Sequence, residues 1–193
     1  AAGSREYTSM NKRKIRETVL ARRSAVAPSE RSAWSQSICE KIMELPAYRS
    51  ARSVMAYYPI RGEVDIMPLL QDILKNKSLL LPRIGAPGCM HAAKISGLDE
   101  LAAGIFGTME PNSSCAEALL SDIDLAIVPL VAFSKDCGRL GYGGGYYDRF
   151  LSGADFTKIG AAFECQRAET LNCRAHDVKM DKIVTEKYIY MPR

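Results

Sequence analysis

The residues best suited to chemistry lie in one stretch: Gly138-Arg139-Leu140-Gly141-Tyr142-Gly143-Gly144-Gly145-Tyr146-Tyr147-Asp148. Five of these eleven are glycine. Glycine reaches φ > 0 and carries no Cβ, so backbone N–H groups in such a loop can close on an anion. The loop is not a Walker A sequence, because no Lys-Ser/Thr follows Gly143. No three of its glycines have the G-x-G-x-x-G spacing either. A plain flexible turn is the alternative. The interleaving of Arg139, three tyrosines and Asp148 favours the wall of a phosphate-type ligand site instead.

Other residues could share that site. Lys12 and Arg16 are four apart, so on a helix they share one face and can reach one phosphate together. Lys12, Arg13, Lys14, Arg16, Arg22 and Arg23 also fit a solvated basic face, which is the commoner role of a charge run. Tyr58 and Glu63 flank a Pro-Ile-Arg-Gly loop, where they can touch a ligand or simply turn the chain. Asp148 can join Asp177 or Asp181 on Mg²⁺, an ion that takes one or two carboxylates plus phosphate oxygens and water. Each aspartate is equally read as a cap or a surface charge. His91 has no partner at ligand spacing.

These residues need elements to hold them. A helical pattern runs from Ser9 to Ala25 with Ile15, Val19 and Arg22 on one side. A second helix starts at Pro28, buries Trp34, Ile38, Ile42 and Leu45, and ends at Pro46. Val54 to Tyr58 reads as the first strand and places Glu63 just beyond its C-terminal end, where open α/β sheets bind ligands. Asp65 caps a helix to Lys75. Strands follow at Ser78–Leu81 and His91–Ile95, then an irregular segment from Gly104 to Pro111. A short helix is predicted at Ala116–Leu120. The apolar run Leu125–Pro129 is a buried strand leading to the glycine loop, and Tyr146–Leu151 opens a helix after it. Lys158–Phe163, Ile183-Val184 and Tyr188–Tyr190 read as the closing strands. The alternation predicts a three-layer α/β fold with a mostly parallel central sheet.

The chain of 193 residues is long enough for one domain. Ala1-Ala2-Gly3-Ser4 has the look of a cloning scar, so residues 1–9 are expected to be tag and disordered N-terminus, with one domain over 10–193. A transit peptide is weakened by Glu6 and Glu17. The net charge of +4 permits anionic ligands without demanding nucleic acid. No apolar run approaches the roughly 20 residues of a membrane span. The six cysteines form no C-x-x-C pair, which argues against zinc and for reduced thiols in a cytoplasmic protein.

The glycine stretch together with Val128-Pro129 resembles the signature of the 5-formyltetrahydrofolate cyclo-ligase (methenyltetrahydrofolate synthetase) family. Lys12-x-x-x-Arg16, Gly62-Glu63-Val64-Asp65, Leu81-Pro82-Arg83, Glu110-Pro111 and His176-Asp177 with Asp181 match in the same order. The resemblance implies a fold similar to that of sugar-phosphate isomerases and CoA transferases. It also implies an ATP- and Mg²⁺-dependent ligase that turns 5-formyltetrahydrofolate into 5,10-methenyltetrahydrofolate; separately, the chain is expected to work as a monomer. Carried over, Lys12, Arg16 and the backbone of Arg139, Leu140, Gly141, Tyr142, Gly143, Gly144, Gly145, Tyr146 and Tyr147 would bind ATP. Tyr58, Glu63 and Tyr142–Tyr146 would hold the folate, Asp148 and Asp177 the metal. Arg139, Tyr146 and Glu63 are the catalytic candidates. Family members often carry Lys at the position of Gly144 and Arg at that of Tyr142, so a role for that lysine does not carry over. Two other functions compete: an ATP-independent isomerase or CoA-transferase relative, and a non-enzymatic anion or nucleic-acid binder using the basic first helix.

Overall fold

The computed structural model describes residues 11–105, 107–171 and 177–192. The expected tag and His176 lie outside them. Helix α1 spans Lys12–Ala25 and is capped by Asn11, whose side chain accepts from the Arg13 N–H at 3.1 Å. Its buried residues are Ile15, Val19 and Arg23, spaced i, i+4, i+8. The expected third member, Arg22, is exposed; the four-residue step keeps Arg23 on the inner face.

Helix α2, Pro28–Glu44, buries Ile38 and Ile42, and Trp34 packs half-buried against the ring of Phe163 at 5.8 Å. Pro46 stops α2 and also opens the short helix α3, Pro46–Ser50, because its fixed φ suits a first helical position. Strand β1 is Ser53–Met55, shorter than the predicted run to Tyr58. Helix α4 covers Met67–Asn76; the cap position is Ile66 and not the expected Asp65, whose carboxylate sits one residue earlier and accepts from the Met67 N–H at 3.0 Å in a turn that leads into the helix.

Strands β2 (Ser78–Ile84) and β3 (Met90–Ile95) form an antiparallel pair. β4 (Leu101–Ala103) and β5 (Met109–Pro111) make a small separate ribbon inside the segment expected to be irregular. The helix predicted at Ala116–Leu120 does not form. Residues Glu117-Ala118 are strand β6, paired with β3, and Leu120–Asp122 is a single 3₁₀ turn. Five residues are too few to nucleate a stable helix alone, and the open edge of β3 supplies the backbone partners.

The remaining elements are β7 (Leu125–Pro129), β8 (Ala132–Phe133), β9 (Arg139–Leu140), α5 (Tyr146–Leu151), β10 (Thr157–Ala161), β11 (Lys182–Val184) and β12 (Ile189–Tyr190). The large sheet runs β12-β11-β10-β7-β1-β2-β3-β6. β11, β10, β7, β1 and β2 are mutually parallel; β12 closes one side and β3 followed by β6 the other, all in antiparallel pairs. Leu125 to Val128 are all buried, as a strand covered on both faces requires.

Successive residues divide between the two faces. Val54, Leu79, Leu81, Leu125 and Ile127 pack with α2 and α4, whereas Met55, Leu80, Ala126 and Val128 join Phe133, Leu151, Phe156 and Met180 on the other side. A third, smaller cluster of Ile15, Val19, Ala132, Leu140 and Ala168 docks α1 on the β8–β9 ribbon. The chain leaves β1 toward β2 on one side, while β7 pairs on the other side of β1. That reversal opens a crevice at the C-terminal ends of β1 and β7, the place where such sheets bind ligands.

Candidate active site

A cleft of about 1020 Å³ occupies this crevice. Its walls come from residues 57–63 after β1, Pro82 and Ile84 at the end of β2, residues 108–110, the glycine stretch 139–149, and Lys12, Arg16 and Asp177. Apart from Asp181, every site residue expected from the sequence lines one cavity, although many belong to segments far apart in the chain.

The glycine stretch crosses the mouth of the cleft between β9 and α5. Gly143 (φ +114°) and Gly145 (φ +67°) sit in left-handed backbone where L side chains are strained. A Cβ on Gly144 would stand 2.8 Å from the Tyr146 ring. A lysine here would thus require that ring to move.

Helix α1 holds the loop from above. The Arg16 Nε donates to the Gly141 carbonyl at 2.7 Å, and Lys12 pairs with Asp177. The bland reading of these cations as a solvated face holds for Arg13, Lys14 and Arg22, which are exposed. From below, Arg139 is almost fully buried and donates Nη2 to Asp148 at 2.8 Å, while the Val178 N–H donates to the same oxygen at 3.2 Å. The Arg139 guanidinium lies 5.7 Å from the centre of the Tyr147 ring. Arg139 Nε and Tyr147 Oη are buried with no hydrogen-bond partner among the described residues. Burial pushes the Tyr147 hydroxyl well above its ordinary range, so it remains a neutral donor.

Glu63 forms the opposite wall. A tight turn, with Arg61 at φ +51° and Gly62 at φ +71°, returns its N–H to the Ile60 carbonyl at 3.0 Å. The Glu63 carboxylate accepts from the Ile60 N–H at 3.1 Å, and the Tyr142 side chain of the glycine stretch acts on it electrostatically. Burial raises its pKa; the Ile60 N–H, Arg23 and Tyr142 oppose that rise in decreasing order. Tyr57 braces the loop by donating to the Val64 carbonyl at 3.0 Å, and Tyr58 lines the cleft half-buried. Glu110 also lines the cleft, but its oxygens accept from the Ile84 N–H at 2.8 Å and the Thr108 hydroxyl at 2.6 Å. It fixes the small ribbon to β2.

Two residues escaped the sequence reading. Arg23 is 2% exposed and donates Nη2 to the Arg61 carbonyl at 2.8 Å and the Tyr142 hydroxyl at 3.0 Å. Arg149 donates to the Gly88 and Gly144 carbonyls, both at 2.7 Å, and lies 5.4 Å from the centre of the Tyr146 ring. The helical step of four from Val19 was the available signal for Arg23. For Arg149 it was the position one residue beyond Asp148.

The carboxylates bear on the metal. Among the described residues no group of three or more His, Cys, Asp or Glu could hold an ion. Asp148 and Asp177 line the same cleft, whereas Asp181 accepts from the Lys158 N–H at 2.7 Å and pairs with its ammonium at 3.4 Å. Asp148 is already engaged by Arg139 and the Val178 N–H and Asp177 by Lys12, so the two make no closed protein cage, and a Mg²⁺ there would take most of its ligands from phosphate and water.

Comparison with known proteins agrees with this geometry. The model of the 5-formyltetrahydrofolate cyclo-ligase family matches residues 8–186. The 5-formyltetrahydrofolate cyclo-ligase of Escherichia coli K12 is 30% identical over 176 residues, covering 88% of this chain and 97% of that protein. Its Haemophilus influenzae counterpart is 28% identical over 180 residues, covering 90% and 96%. The solved structure of Aquifex aeolicus 5,10-methenyltetrahydrofolate synthetase superposes with a TM-score of 0.85 at 35% identity, over 95% of this chain and 94% of that one. The Mycoplasma pneumoniae synthetase gives 0.76 at 26% identity, over 92% and 99%.

Proposed function

The chain belongs to the 5-formyltetrahydrofolate cyclo-ligase family, and from that premise we propose how its cleft performs the ATP-dependent conversion of 5-formyltetrahydrofolate to 5,10-methenyltetrahydrofolate, ADP and phosphate. The observation that supports the reading is the joining of three separate segments at one cavity. Arg16 of α1 bonds the glycine stretch at Gly141, and Glu63 faces the same stretch through Tyr142.

A formamide oxygen is a weak nucleophile, and oxide is a poor leaving group. Attack of that oxygen on the γ-phosphorus forms an O–P bond and breaks the bond to the β-phosphate, releasing ADP. N10 then attacks the activated formyl carbon and loses its proton, and the C–O bond breaks as phosphate departs. The protein's task is positioning and charge neutralisation, as in other phosphoryl transfers. Bringing the oxygen and phosphorus together can supply on the order of 7–11 kcal/mol.

In this assignment Lys12 and Arg16 bind the ATP phosphates, and the backbone of 139–147 closes over them. The side-chain-poor stretch Gly143–Gly145 lets the phosphate and formyl oxygen approach each other. Arg139 and Tyr146 act at the reacting centre, with the unpartnered Nε of Arg139 and Oη of Tyr147 as donors for charge that develops there. Glu63 accepts from the N–H groups of the reduced pterin, and Tyr58 packs beside it. Mg²⁺ would be held by Asp148 and Asp177 and would offset phosphate charge. The five described cysteines are free thiols, which supports a reducing cytoplasmic setting. No helix among the described residues is long and apolar enough to cross a membrane. The working unit is taken as a monomer without nucleic acid.

The test is turnover of 5-formyltetrahydrofolate followed by the near-UV absorbance of the methenyl product. The expected result is product only when ATP and Mg²⁺ are both present. Product without ATP, or none under any nucleotide and divalent cation, rejects the assignment.

A further inference from the structure

We propose that Arg23 is a positioning residue that ties the folate-binding loop to the glycine stretch and holds a positive charge beside Glu63. The inference rests on Glu63 as the folate-binding carboxylate.

A guanidinium that is 2% exposed has lost nearly all its hydration, which is expensive unless the charge is compensated. Its two hydrogen-bond acceptors, the Arg61 carbonyl and the Tyr142 hydroxyl, are neutral. Its Nη1 has no acceptor among the described residues. No carboxylate forms an ion pair with it among the described residues; Glu63, two residues beyond Arg61, is the acid whose ionised form its charge favours. Tyr142 lies between them: its oxygen accepts from Arg23 at 3.0 Å, and its hydroxyl and the Glu63 carboxylate each bear on the other's ionisation.

The other groups around Glu63 are Arg61 in its own loop, Tyr57 after β1, and Tyr147 in α5. All three tyrosines are shifted above their ordinary range, chiefly by burial, and stay neutral at working pH. Arg61 is exposed, so its field is screened by solvent. Arg23 is therefore a buried cation whose charge, after the Ile60 N–H, opposes the effect of burial on the Glu63 carboxylate. Without it the carboxyl should hold its proton to higher pH and cease to accept from the pterin N–H groups.

The experiment is the pH profile of kcat/KM for 5-formyltetrahydrofolate at saturating ATP. For Arg23→Met we expect at least a tenfold loss near pH 7, largely recovered by pH 9, with the KM for ATP within twofold of wild type. Arg23→Lys, which keeps the charge, should follow the wild-type profile. Tyr142→Phe, at a half-exposed position and so tolerant of change, should move the acid limb the same way by less. It decides the matter should Arg23→Met fail to fold. A loss equal at all pH values in folded Arg23→Met means that the side chain is only a brace and overturns the charge role. An acid limb left in place in both variants overturns the proposal too. A wild-type chain with no turnover at any pH sinks the folate assignment, and this inference with it.

Discussion

Glu63 carries opposing demands. Function asks for an ionised acceptor, and its surroundings raise its pKa. An acid whose folded pKa is raised destabilises the fold once ionised. The penalty is absent below the ordinary carboxylate range and grows as pH rises through the raised value. Glu63→Gln removes that titration. The variant should melt higher than wild type at pH 8, and the gap should close near pH 4. The same variant should lose folate use at least tenfold with little change in ATP binding. Calorimetric melts across pH and separate KM values check both halves. Equal melting at both pH values rejects the penalty, and equal losses for the two substrates reject the folate role. At this scale the sequence was informative where residue types cluster locally: Lys12 with Arg16, Gly62-Glu63, and the glycine stretch. For Arg23 only the helical step from Val19 pointed inward; its partners, 38 and 119 residues away, were not legible. In a linear reading a buried arginine looks the same as its exposed neighbour Arg22.

Among the elements, the glycine stretch is held at three points. Arg16 binds its start at Gly141, Tyr142 bonds Arg23 in its middle, and Arg149 binds Gly144 near its end. Arg149 also reaches Gly88 in the β2–β3 connection, so it straps two loops together. Exposed hydrogen bonds contribute little to global stability. Arg149→Met should therefore shift the melting temperature by only a few degrees, yet free the loop and lower kcat at least fivefold. A melt and a turnover assay on the same preparation separate the two effects; unchanged kcat removes Arg149 from loop positioning. Elements were legible in proportion to their burial. The continuous apolar run 125–128 and the helical faces of α2 and α4 announced themselves. Residues 116–120 did not, because their conformation comes from the free edge of β3 and not from local propensity.

For the whole molecule, the parallel sheet and its reversal at β1 put every site segment at one end, and this much followed from the alternation of strands and helices. How α1 attaches was not legible. It rests on the small cluster of Ile15, Val19, Ala132, Leu140 and Ala168, set apart from the two large cores that clasp the sheet. An element held by so little apolar area opens at lower free energy than the strands it covers. Its amides should exchange with deuterium well before those of β7, and bound ATP, gripped by Lys12 and Arg16, should slow them selectively. Matching exchange in the two elements, or no response to nucleotide, would refute this. The first helix would then act as a latch: nucleotide enters while it is ajar, and the same cations that recognise the phosphates draw it shut.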